Sequence, residues 1–90
     1  MITANVIRAV QDLLKERGIE QRPNERLGDY VARGLGISDS EAEAFLEAVH
    51  DGASIEEAEQ KTGISIATAH RPLLIDIARA IGAAMGRLAR

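Results

Sequence analysis

Apolar residues recur three and four positions apart from the start of the chain. Val6, Ala9, Val10, Leu13 and Leu14 line one face of a segment from Thr3 to about Arg17, which is the period of an amphipathic helix rather than of a strand. Thr3 is placed to cap the first turn and Gly18 to stop the last one. After Ile19 to Pro23, Asn24 is the expected cap of a second helix with Leu27, Tyr30, Val31 and Leu35 on one face, ended by Gly34 or Gly36. Ser38-Asp39-Ser40-Glu41 has the form of a capping box and opens a third helix, with Ala42, Phe45, Leu46 and Val49 inward, up to Asp51-Gly52. Ser54-Ile55-Glu56-Glu57 repeats that box before a short fourth helix ending near Thr62. The last segment, from Ser65 onward, contains Pro72, which has no amide to donate and clashes with the turn before it. It is expected either to kink there or to split into a short helix 66–70 and a long one entering at Pro72. The pattern predicts an all-α fold: one small five-helix domain spanning 1–90, with its helices joined by short turns.

Composition sharpens this picture in three ways. Tyr30 and Phe45 are the only aromatics, so the core must be aliphatic and alanine-rich, which suits close helix packing. The chain has no cysteine, which removes disulfides and thiolate metal sites and fits a reducing compartment. No secretion signal and no apolar run of about 20 residues is visible, so a cytoplasmic protein without a membrane span is expected. The net charge of -3 is unevenly spread: residues 36–62 carry eight acidic groups and one basic, whereas 63–90 carry four basic and one acidic.

Shifting the chain against itself by 27 residues lays Leu35-Gly36-Ile37-Ser38 over Thr62-Gly63-Ile64-Ser65, and Ala42 and Leu46 over Ala69 and Leu73. Each copy reads as a helix ended by a glycine that can turn left-handed, an apolar plug, and a serine that caps the next helix. On these residues the chain resembles the helix-turn-helix superfamily, once over about 27–49 and again over 54–79. The first copy has Ala32 four residues before the turn glycine and Leu35 just before it, as the motif wants, but its second helix begins with Asp39, Ser40, Glu41 and Glu43, which would repel phosphate. The second copy carries Glu59 and Thr62 at those framework positions and the proline in its second helix, yet its surface is the more basic one.

Two binding functions follow from this pattern, and catalysis is not expected, because no nucleophile–base pair, phosphate-binding glycine loop or dinucleotide fingerprint is present. The resemblance implies a regulatory module binding double-stranded DNA through Thr68 and His70 near bases and Arg71 and Arg79 near phosphates. The alternative is a protein-interaction or assembly module without nucleic acid. It would use the acidic face of residues 39–59 for a protein partner, or a homodimer seam formed by Leu74, Ile77, Ile81, Gly82, Met85, Gly86 and Leu88. Gly82 and Gly86, four apart, read as two glycines within one helix, each costing about 1 kcal/mol against alanine and asking for a close helix contact in return. His50 and His70 stand 20 residues apart without a helical spacing that would pair them, so no metal site and no cofactor is expected.

Overall fold

The computed structural model describes residues 2–64 and 66–86. Within them lie five α-helices and no strand: α1 Ala4–Glu16, α2 Leu27–Leu35, α3 Asp39–His50, α4 Ile55–Thr62 and α5 Arg71–Ala84, with a single 3-10 turn at Thr68–His70 just before α5. The architecture is all-α. α1 lies against α5, α2 against α3, and α3 against both α4 and α5. No helix among the described residues is long and apolar enough to cross a membrane.

Most helix starts follow the sequence signals. Thr3 accepts the Val6 amide at 3.4 Å. Ser38 and Ser54 each close a reciprocal box: the serine oxygen accepts the Glu41 or Glu57 amide at 3.2 and 3.1 Å, and the glutamate accepts the serine amide at 3.0 Å. These bonds favour the ionised carboxylates and hold Glu41 and Glu57 below the usual carboxylate range.

The start of α2 differs from expectation. Its N-cap is Arg26, which makes no side-chain cap bond, while Asn24 sits at φ 62 in the loop before it. Asparagine tolerates this left-handed backbone better than most residues, and here it serves the turn in which the Glu25 amide reaches the Arg22 carbonyl at 3.0 Å. The α2 stop is Gly36, at φ 70, where the Gly36 and Ile37 amides both return to the Ala32 carbonyl. Gly34 lies inside the helix instead. A Cβ there would stand 3.3 Å from side-chain carbons of Leu14 and Ile19 and 3.4 Å from Leu73, so this glycine lets α2 approach α1 and α5 closely.

The last segment is split at Pro72, not kinked. A helix running from residue 66 would put Pro72 in its interior, without an amide to give and against the carbonyl four residues back. The chain instead has no regular structure at Ile66 and Ala67, makes the 3-10 turn, and restarts at Arg71 with Pro72 in the first turn of α5. The internal repeat therefore ends at its turn: Ala42 and Leu46 are inside α3, but Ala69 lies in the 3-10 turn and Leu73 in the opening turn of α5. Ser65, the expected cap of the second copy, lies outside the described residues.

The core gathers Val6, Val10 and Leu14 of α1 with Leu74, Ile77 and Ile81 of α5, all at 0% exposure, and wraps α2 and α3 around them through Tyr30, Leu35, Phe45 and Leu46. α4 is thin and buries only Ala58. Among the described residues no polar side chain is buried whole except Tyr30, whose hydroxyl donates to the Ile19 carbonyl and ties the α1–α2 loop to α2. Burial pushes the Tyr30 phenol up from its ordinary value. The same loop is clamped from outside. Arg33 donates to Glu25 through Nε at 2.8 Å and Nη2 at 2.6 Å, and Nη2 also reaches the Glu20 carbonyl at 2.7 Å. With the Arg22 amide donating to the same carboxylate, the Arg33 hydrogen bond foremost holds Glu25 down at about 2.

This packing has two measurable consequences. Gly34→Leu forces a branched side chain into the junction of Leu14, Ile19 and Leu73 and should cost about 1–3 kcal/mol, read from denaturant midpoints. The Glu25 pKa falls from 4.5 to about 2 on folding, so its contribution is fully present above pH 4.5 and disappears as pH falls toward 2. Glu25→Gln should therefore lower stability at neutral pH, lose most of that effect as pH falls from 4.5 through about 2, and flatten the acid-unfolding profile over that range in circular dichroism.

Candidate functional site

The expected DNA-contacting residues do not assemble into one basic surface. Thr68 and Arg79 are exposed. His70 is half-buried and leans on the α2 stop, since a Cβ at Gly36 would meet its Cε1 at 3.2 Å. Arg71 is engaged by Glu59, with Nη1 to Oε2 at 2.9 Å and Nη2 to Oε1 at 3.3 Å. That pair explains the glutamate at a position where the helix-turn-helix motif prefers a small residue: it joins α4 to the start of α5 across the loop instead of packing under it. Arg79 lies eight residues beyond Arg71, roughly 12 Å along α5 and about 80° around it. It borders a shallow apolar surface with Val49, Ala53, Ile55 and Ala78 rather than a cationic one.

The residues expected to form a seam between two copies are divided by the fold. Leu74, Ile77 and Ile81 are at 0% exposure inside the chain, so they have no surface left for a second copy, while Gly82 is buried at the floor of the shallow surface beside Ala78 and Arg79. The reason is that α1 presents the matching stripe of Val6, Val10 and Leu14. Gly86 is not a helix-interior glycine. α5 ends at Ala84, Met85 is the cap, and Gly86 takes φ 77, where an added Cβ would meet nothing within 4 Å. It is a helix stop, so it needs no close partner to offset a helical cost. Met85 is 38% exposed, and Leu88 lies outside the described residues.

What the structure does bring together is acidic. Along α3 and its cap, Asp39, Glu43, Glu47 and Asp51 are exposed, and Glu56 and Glu57 follow at the start of α4. Asp29, in the first turn of α2, meets Asp39 at the start of α3. Asp39, which can share a hydrogen bond only with the protonated form of Asp29, foremost raises the Asp29 pKa above its ordinary value, and partial burial adds to the effect. Two carboxylates forced together in this way mark a strongly negative junction. Among the described residues, no three His, Cys, Asp or Glu side chains are arranged to hold a metal ion.

Beside this junction is a groove of about 500 Å³ between the start of α1, the start of α2 and the outer side of α3. Ile2, Ile7, Leu27 and Leu46 supply its apolar lining, and Ser40, Glu43, Glu47 and Arg26 supply a polar one of similar extent. Its back is set by Gly28, which is buried under Glu43: a Cβ at Gly28 would lie 2.6 Å from the Glu43 Cγ. Arg26 Nη2 reaches Glu43 Oε1 at 3.7 Å with side chains 80% and 51% exposed, a contact that water and salt screen heavily. Sequence patterning missed this groove because it ranked only the core stripes. One signal was available: Ile7 follows Val6 directly, about 100° around α1, and so cannot share its buried face.

No protein family, curated protein or solved structure matches the chain.

Proposed function

We propose that this domain is a protein-interaction module that receives a basic partner on the acidic face of residues 39–59. One observation carries the reading: the helix that follows the Gly36-Ile37-Ser38 turn, where a DNA reader would place its cations, exposes Asp39, Glu43 and Glu47, while Arg71, the first cation after the second turn, is held by Glu59. A duplex presents a dense row of phosphates and rewards lysine and arginine with counterion release. A carboxylate surface reverses that sign and favours encounter with a cationic protein segment.

The test exposes the protein, at low and at physiological salt, to random duplex DNA in an electrophoretic shift assay and to a lysine- and serine-rich peptide of about 15 residues, followed by amide chemical shifts. The length is chosen to match a short helix. The expected result is no retention of duplex even at low salt, and weak, salt-sensitive peptide binding with shifts clustered in α3 and the start of α4. Tight duplex binding that Arg79→Glu weakens on every sequence would instead establish the helix-turn-helix-like DNA reading.

A further inference from the structure

Resting on the protein-interaction reading, we infer that the groove between α1, α2 and α3 is an anchor site that takes an apolar side chain from a basic amphipathic helix of a partner protein, while Glu43 and Glu47 hold the cations flanking that side chain. The groove is built for a mixed ligand. Ile2, Ile7 and Leu27 are only partly buried, so their apolar surface remains in water when the domain is alone, and covering it returns about 25 cal/mol for each Å² removed from solvent. A volume of about 500 Å³ accommodates one or two large side chains, and falls within the range of sites that bind specific ligands.

The chemistry of the rim selects the partner. Glu43 and Glu47 lie one helical turn apart on the outer side of α3, with exposed Ala44 beside them on the groove wall, so an apolar residue entering over Ala44 has two carboxylates along one side of it. Asp29 and Asp39, next in sequence to the lining residues Gly28 and Ser40, add negative potential nearby. The cation that lines the rim, Arg26, is 80% exposed and loosely paired with Glu43 at 3.7 Å. A partner lysine or arginine can displace it at little cost, and a phosphate or carboxylate ligand would find one guanidinium against several carboxylates. A helical partner fits better than an extended one, because the described residues include no strand edge for a peptide to join, and a groove between helices receives side chains spaced three and four apart.

The test uses a leucine–lysine peptide of about 15 residues, with leucines at helical spacing, beside the lysine–serine peptide of equal length and charge. The intact chain is followed by amide chemical shifts and the peptide by circular dichroism. Binding at the groove should shift Ile7, Leu27, Gly28 and Ala44 together, induce helix in the leucine–lysine peptide, and be at least several-fold tighter than for the lysine–serine peptide. Glu43→Gln with Glu47→Gln, which keep the size of each side chain and remove only its charge, should weaken it roughly three- to tenfold. Ala44→Phe should fill the groove from within and remove the preference for leucine while leaving the lysine–serine peptide's weaker affinity in place. If the leucine–lysine peptide binds but shifts only Val49, Ala53 and Ala78, or binds Ala44→Phe equally well, the groove assignment is overturned although the acidic face still recruits cations. If neither peptide binds at low salt, the interaction reading falls with it. Sedimentation of the unaltered chain separates the remaining occupant: concentration-dependent dimers abolished by Ala44→Phe would assign the groove to a second copy and overturn the heterologous partner.

Discussion

The pairing of α1 with α5 closes the chain on itself, and the other helices are arranged around it. Val6, Val10, Leu14, Leu74, Ile77 and Ile81 lose all exposure in one core, and an ion pair between Arg17 and Asp76 joins the end of α1 to α5. A chain this short has little apolar surface to bury, and with two aromatic residues it must use its aliphatic stripes completely. That constraint governs what is left over. An apolar seam on the last helix resembles a dimer interface when viewed alone, yet the first helix needs it for its own burial. Gly34 answers the same constraint, since its missing side chain lets α2 settle against both terminal helices.

The two Gly-Ile-Ser turns show how one local signal can have two outcomes. At Gly36 the turn is followed at once by a capped helix, and α2 and α3 form a tight pair. At Gly63 the same glycine stop is present, with φ 67, but Pro72 prevents the next helix from starting on schedule. The irregular residues and the 3-10 turn that intervene carry Arg71 to Glu59 and lean His70 on Gly36. The proline thus alters the surface as much as the backbone: residues that would have stood along a helix entering a groove are drawn into contacts with α4 and α2.

Charge is divided in a similarly lopsided way. Arg17, Arg33 and Arg71 each meet a carboxylate from another segment of the chain, so a third of the described lysines and arginines hold loops and helix ends. The acids of α3 are less committed. Glu41 caps its own helix, but Asp39, Glu43 and Glu47 face outward beside apolar surface that the core leaves partly open. A negative rim around a partly apolar groove is a specific chemical arrangement, and it is the feature on which both the partner's sign and its amphipathic character rest.

Periodicity and capping chemistry determined the helices of this protein, because each depends on residues within one or two turns of each other: Thr3, Ser38 and Ser54 cap where their hydroxyls can reach the third residue on, and Gly36 stops α2 where the chain must turn left-handed. Local spacing also identified the acidic stretch from 39 to 59. Tertiary structure alone decided which apolar stripes face each other, which cations are neutralised and where surface is left open. Leu74 could have met a second copy as well as α1, Arg71 could have met phosphate as well as Glu59, and Gly86 could have been a contact as well as a stop. Nothing within a few residues distinguishes these outcomes; they follow from the three-dimensional competition among elements for a limited amount of burial, which a one-dimensional pattern does not contain.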